Sequence, residues 1–118
     1  MTGTGLTTEI EDRDGIRLIH VSGPLDSMTH DQFKAQMDPL VRQARIRIVL
    51  DCEKLTYVNS TGLTLLVRYH RTAIQNLAFF GIAALNPRIL KAIDLLGMGK
   101  LVKPYPTVEE AIQAATAV

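Results

Sequence analysis

The sequence predicts a single α/β domain on a mixed β-sheet, opened by an N-terminal hairpin and carrying about four helices. Three observations carry this. Two short extended runs flank a turn near the start. After them, stretches of helical spacing alternate with short apolar runs. Helix-start residues stand at the head of the helical stretches. The whole chain, 1–118, is expected to be one domain with its core about 6–115.

Leu6 to Glu11 and Ile16 to Val21 read as the hairpin strands, separated by Asp12-Arg13-Asp14-Gly15, where Gly15 can take positive φ. Thr29-His30-Asp31-Gln32 has the form of a capping box and is followed by Phe33, Met37, Leu40, Val41 and Ala44 at helical spacing. Pro39 should kink that helix or restart it. Ile46 to Leu50 is a β-branched strand that delivers Asp51 to one edge of the sheet. Val58-Asn59-Ser60-Thr61-Gly62 leads into a second helix with a stripe of Leu63, Leu66, Val67, His70, Ala73, Ile74 and Leu77, ending near Asn76.

Leu77 to Leu85 is almost continuously apolar, which predicts a central strand covered on both faces. Asn86-Pro87 opens a third helix with Ile89, Leu90, Ile93 and Leu96 as its stripe, and Gly97 can close it. Leu101 to Lys103 reads as a last short strand. Thr107-Val108-Glu109-Glu110 is a second capping box, so a closing helix should run to about Ala115.

The composition narrows the function. With 118 residues, 47% of them hydrophobic, the chain can bury a core without disulfides or structural metal, and a two-domain enzyme is excluded. Thirteen basic against twelve acidic residues leave a formal charge of +1, too little field to recruit nucleic acid. Tryptophan is absent and Phe and Tyr are few, so a base-stacking platform has little to build on. No apolar run reaches the roughly 20 residues of a membrane span, and Met1 to Thr8 has neither the basic start nor the apolar core of an export signal. A cytoplasmic protein with no membrane span and no direct nucleic-acid partner is expected.

In an open α/β sheet, functional groups gather beyond the carboxyl ends of the strands. Three segments point there: Ser22 to Met28, Asp51 to Gly62, and Leu85 to Arg88. The most suggestive is Asn59-Ser60-Thr61-Gly62, because a helix start presents unpaired N–H groups and partial positive charge, which favour a phosphate. Gly62 lets another surface approach the backbone. Asn, Ser and Thr are also ordinary helix caps, and taken locally that is the commoner meaning of the pattern.

The order of motifs along the chain adds to this. Gly23-Pro24-Leu25-Asp26, Ile48-Val49-Leu50-Asp51, Tyr57-Val58-Asn59-Ser60-Thr61-Gly62-Leu63, Asn86-Pro87, Leu95-Leu96-Gly97 and Tyr105-Pro106-Thr107-Val108-Glu109-Glu110-Ala111 together resemble the STAS family of anti-sigma factor antagonists, from roughly Leu6 to Ala115. The resemblance implies a partner-switching protein. Such a protein binds a serine-kinase anti-sigma factor when unphosphorylated, is released when the kinase phosphorylates it, and is reset by a metal-dependent serine phosphatase. The phosphorylated position of the family falls on Ser60, with Thr61 as its neighbour. The partner-binding surface would comprise Asp26, Asn59, Ser60, Thr61, Gly62 and Leu65. Two positions depart from the family pattern: Asn59, where Asp is frequent, and Pro24, where Glu is frequent. Asp26 is the remaining acidic candidate for a charge contact with the kinase.

Other residues read more plainly. Cys52 is a lone cysteine with no basic neighbour and suits a small buried position. His20, His30 and His70 lie on different elements without ligand spacing, so no metal site and no cofactor is expected. Arg68, His70 and Arg71 suit the carboxyl half of a helix through its dipole. Leu65 and Tyr69 fall beside the stripe of the second helix and either form an exposed apolar patch near Ser60 or contact the closing helix. An enzyme is not expected, since no nucleophile and base can be paired by spacing and no cofactor fingerprint occurs. Alternatives to switching are a fixed STAS adaptor of a transporter or stressosome-like assembly, or a nucleotide- or lipid-binding domain.

Overall fold

A computed structural model describes residues 5–102 and 104–118. Strands β1 (Thr7–Arg13) and β2 (Ile16–Leu25) form the hairpin, followed by α1 (His30–Val41), β3 (Arg47–Val58), α2 (Ser60–Gln75), β4 (Phe79–Ala83), α3 (Pro87–Leu95) and α4 (Val108–Thr116). The four strands lie in sequence order in one mixed sheet. β1 runs antiparallel to β2, while β2, β3 and β4 are parallel.

The hairpin is tighter than the expected four-residue turn. Arg13 still pairs with Ile16, which leaves Asp14 (φ 53°) and Gly15 (φ 84°) as a two-residue loop with both φ positive. That geometry matches the twist of the flanking strands. The Asp12 carboxylate accepts the Gly15 N–H at 3.2 Å and fastens the loop.

β3 does not end at Asp51 but continues to Val58. β2 keeps pairing with it as far as Leu25↔Val58, through two register shifts around Ser22 and Gly23-Pro24. Beyond Asp51 there is no β4 residue alongside, so Glu53 and Lys54 occupy a one-sided strand and stay exposed. Pro24 is tolerated in β2 because β1 stops at Thr7↔Ser22.

β4 is an edge strand of the sheet, not a central one. Its all-apolar sequence is nevertheless explained by cover on both faces: Phe80, Gly81, Ile82 and Ala83 are buried. The expected strand at Leu101 to Lys103 does not complete the edge. Leu101 and Val102 turn back and donate to the Met98 carbonyl at 3.0 and 3.1 Å, and Lys103 lies outside the described residues. Tyr105 makes the pairing, donating to Ile82 O at 2.8 Å and accepting from Ala84 N at 3.1 Å.

The helix starts divide by chemistry. Asn86 accepts from Ile89 N at 2.8 Å and Thr107 from Glu110 N at 3.1 Å, as expected. α3 closes in a Schellman turn, with Gly97 (φ 71°) donating to Asp94 O and Met98 to Ile93 O. At α1 the capping box does not form. Thr29 turns its hydroxyl to Pro24 O, 2.9 Å, and Gln32 donates to Leu6 O, 2.6 Å, so both side chains tie α1 to β2 and the chain before β1. α1 passes through Pro39 without a restart and ends at Val41, which leaves Ala44 exposed beyond it.

Helices α1, α2 and α3 cover one face of the sheet over a large core that includes Ile19, Val21, Phe33, Met37, Leu50, Leu66, Tyr69, Phe80 and Ile89. α4 covers part of the other face, setting Ala111 and Ala115 on Ile16, Leu18, Val49 and Ala83. The buried face of α2 is rotated from the expected stripe. Ile74 and Leu77 are 63% and 71% exposed, whereas Leu65 and Tyr69 are 1% and 2% exposed. The cause is α1, which packs along α2 so that the Tyr69 ring stands between Phe33 and Phe80 and its hydroxyl donates to Asp38 at 2.7 Å. The apolar patch expected from Leu65 and Tyr69 is therefore interior, and its neighbour is α1 rather than α4.

Candidate functional site

The carboxyl ends of β2, β3 and β4 bring the three expected segments to one end of the sheet. Asn59 anchors the centre. Its N–H donates to Leu25 O at 3.3 Å, its Oδ1 accepts from Gly62 N at 3.0 Å, and its Nδ2 donates to Ser27 Oγ at 3.2 Å. Ser27 in turn donates to Thr61 Oγ1 at 3.3 Å. Asn59 thus caps α2 and at the same time stitches it to the β2–α1 loop. An aspartate at this position could perform the first task, but the second only by accepting the Ser27 hydroxyl, which would take that proton from Thr61.

Gly62 is where helix and strand meet. A Cβ there would stand 2.6 Å from Leu25 O and 2.8 Å from Leu25 Cγ, so only glycine permits this approach. Because Asn59 does the capping, the exposed Ser60 hydroxyl is not used to close the helix start. Thr64 donates to Ser60 O at 2.8 Å and leaves the Ser60 side chain facing outward at the first helical position.

Asp26 has a role the sequence did not disclose. Its Oδ1 accepts from Met28 N at 2.9 Å and Thr29 N at 3.1 Å, so the carboxylate shapes the loop that faces α2. Met28, which the sequence did not single out, is pushed out of this loop and is 93% exposed. A shallow recess of about 320 Å³ lies alongside, lined by His30, Ser60, Thr61, Thr64, Leu65 and Arg68. Leu65 is 1% exposed and contributes to the floor of that recess.

A family model for the STAS domain matches residues 7–111. The chain belongs to the STAS domain family. This STAS domain is 27% identical over 101 residues to an anti-sigma F factor antagonist of Paenibacillus polymyxa, covering 85% of this chain and 86% of that protein. It matches the crystal structure of an anti-sigma factor antagonist from Mycobacterium paratuberculosis with a TM-score of 0.85 at 27% identity, over 98% of this chain and 97% of that one. The phosphorylated form of the Bacillus cell fate determinant SpoIIAA shares the fold, with a TM-score of 0.67 at 22% identity over 92% and 98% of the two chains. Among the described residues of this STAS domain, no helix is long and apolar enough to cross a membrane.

A second polar cluster of the domain lies on the sheet face that α4 leaves open. His20 bridges two strands, with Nδ1 at 2.8 Å from Asp51 Oδ2 and Nε2 at 3.0 Å from Glu11 Oε1. Arg13 extends the cluster, 3.0 Å from Glu11 and 3.9 Å from Glu109 at the start of α4. The bonds to Glu11 and then Asp51 raise the His20 pKa, and the bonds from His20 and then Arg13 lower that of Glu11. Asp51 does reach an edge of the paired region, but it is engaged by His20. Cys52, one residue on, points to the opposite face and is buried, which pushes its thiol up to about 12. His70 is half-buried at the boundary between α2 and β4. No local pattern announces the His20 bridge, because its three members come from three strands.

Proposed function

We propose that this STAS domain is an anti-sigma factor antagonist acting in the cytoplasm by partner switching. Unphosphorylated, it binds a serine-kinase anti-sigma factor through Asp26, Asn59, Ser60, Thr61, Gly62 and the recess floored by Leu65. The kinase transfers the γ-phosphoryl group of ATP to Ser60: an Oγ–P bond forms, the bond to the β-phosphate breaks, ADP leaves, and the hydroxyl proton passes to a base on the kinase. A metal-dependent serine phosphatase reverses the state. The domain itself performs no catalysis in this scheme.

The observation that carries this reading is the freedom of the Ser60 hydroxyl, presented at a helix start whose capping has been given to Asn59. A phosphate there adds about −1.5 to −2 charge, which turns a domain of formal charge +1 to about −1 and desolvates poorly against a partner. No refolding is required, because the helix start already favours an anion. The test is incubation with the cognate kinase and ATP followed by mass spectrometry. One phosphate on Ser60, none on Ser60→Ala, and at least about tenfold weaker kinase binding by the phosphorylated form are expected. Label elsewhere, or equal affinity of the two forms, would leave the fixed-adaptor reading in its place.

A further inference from the structure

The recess beside Ser60 is lined by two basic side chains that come from different helices. His30 reaches it from the first turn of α1, Arg68 from the middle of α2. Ser60, Thr64 and Arg68 follow one another at four-residue intervals along that side of α2. Arg68 lies about 12 Å along the axis from Ser60; helical side chains lean toward the amino end, which favours its guanidinium reaching back along the recess, while a phosphate on Ser60 has to turn against that lean to meet it. Arg68 is exposed and forms no ion pair among the described residues.

The hydroxyls are arranged to match. Asn59 donates to Ser27 and Ser27 to Thr61, so the Thr61 O–H stands at the end of the relay with its own proton still to donate. The ionisable groups that line the recess are His30 on α1 and Arg68 on α2; Asp31 stands 3.1 Å from His30, and Asp26 lies in the loop between β2 and α1. Asp26 is turned into its own loop through Oδ1, which lessens its opposition to a second anion.

We propose that this recess receives the phosphate carried on Ser60, with Arg68 as its main charge partner and His30 and the Thr61 hydroxyl as further donors. The proposal rests on Ser60 being the modified residue. It adds a second component to the switch: the phosphate folds back along α2, enters the recess and removes a free arginine from the docking surface.

Phosphoserine installed at position 60 through an expanded genetic code tests this without any kinase. The second ionisation of the phosphate is followed by phosphorus NMR, against an ordinary value of about 6. In the wild-type background it should fall below that value. Arg68→Gln should raise it by a few tenths of a unit, and His30→Gln by less. Arg71→Gln removes the same charge from an exposed arginine outside the recess and should leave it in place. Equal shifts for Arg68→Gln and Arg71→Gln, or no shift for Arg68→Gln, would overturn the proposal. A kinase that never modifies Ser60 would instead overturn the proposed function, and the two failures are read in separate experiments.

Discussion

The two polar networks of this domain are built from opposite materials. At the start of α2, Asn59, Ser27 and Thr61 form a chain of neutral hydrogen bonds, and the single carboxylate, Asp26, has Oδ1 occupied by backbone N–H groups. On the open sheet face, His20, Glu11, Asp51 and Arg13 form a chain of charges. A neutral network keeps its geometry when a charge arrives and does not compete for it. A charged one is satisfied already and responds to pH. The first is suited to be modified, the second to tie strands together.

The largest effect is expected where the neutral network depends on backbone contact. Gly62→Ala places a Cβ 2.6 Å from Leu25 O, and the neighbour is main chain that cannot turn aside. A loss of about 2–4 kcal/mol is expected in urea unfolding, with the start of α2 displaced from β2. Stability within about 0.5 kcal/mol of wild type would mean that the close approach does not hold the site together.

Asn59→Ala comes next. It removes a helix cap, for which about 1 kcal/mol is usual, and also leaves Ser27 without its donor, so about 2 kcal/mol is expected. Thr107→Ala, a cap on α4 whose partners lie within its own first turn, should cost only about 1 kcal/mol. Asn59→Asp sharpens the comparison, since it keeps the cap but can hold Ser27 only by accepting its hydroxyl, which takes that proton from Thr61; it should fall between wild type and Asn59→Ala. Equal losses at positions 59 and 107 would show that the cross-link between α2 and the β2–α1 loop contributes nothing.

How much of this was legible in the sequence follows the reach of each interaction. The positive φ of Gly15, the Asn86-Pro87 and Thr107 starts and the Gly97 stop are written in neighbouring residues, and the structure has them as expected, while the turn itself tightens from four residues to two. Thr29 and Gln32 carried the same local signal, but their side chains found Pro24 and Leu6 instead, partners set by the tertiary fold. The second half of β3 looked like a loop because Glu53 and Lys54 are charged, and charge is acceptable there only because β4 is too short to cover it. At the site, Asn59 to Gly62 stood out as a contiguous motif. His30 and Arg68 did not, because a recess between two helices is visible only once both are placed. The pattern leaves Leu65 between a surface patch and a contact with the closing helix, because only the position of α1 decides which side of α2 is inside.

The charged network predicts a pH dependence that the neutral one lacks. The His20 pKa is raised on folding, so its contribution is complete below the ordinary histidine value of about 6.5 and is lost as pH rises through the raised value. Glu11 is lowered, so its contribution is present above the ordinary glutamate value of 4.5 and is lost as pH falls through the lowered one. The cluster should therefore help most between these two ordinary values. The stability difference between wild type and His20→Gln should be largest near pH 5.5 and shrink by pH 9, with solvent screening keeping it modest. A difference that does not change with pH would mean the bridge acts through its hydrogen bonds alone.

The smallest effect on stability, and the sharpest contrast with Gly62, is expected at Ser60. Its hydroxyl neither caps α2 nor enters the Asn59, Ser27 and Thr61 chain, so Ser60→Ala should unfold within about 0.5 kcal/mol of wild type. The adjoining positions hold the helix start in place while the residue between them contributes little to the fold. A loss of more than about 1 kcal/mol in Ser60→Ala would show that the hydroxyl is part of the scaffold, and a residue needed for the scaffold is a poor place for a reversible charge.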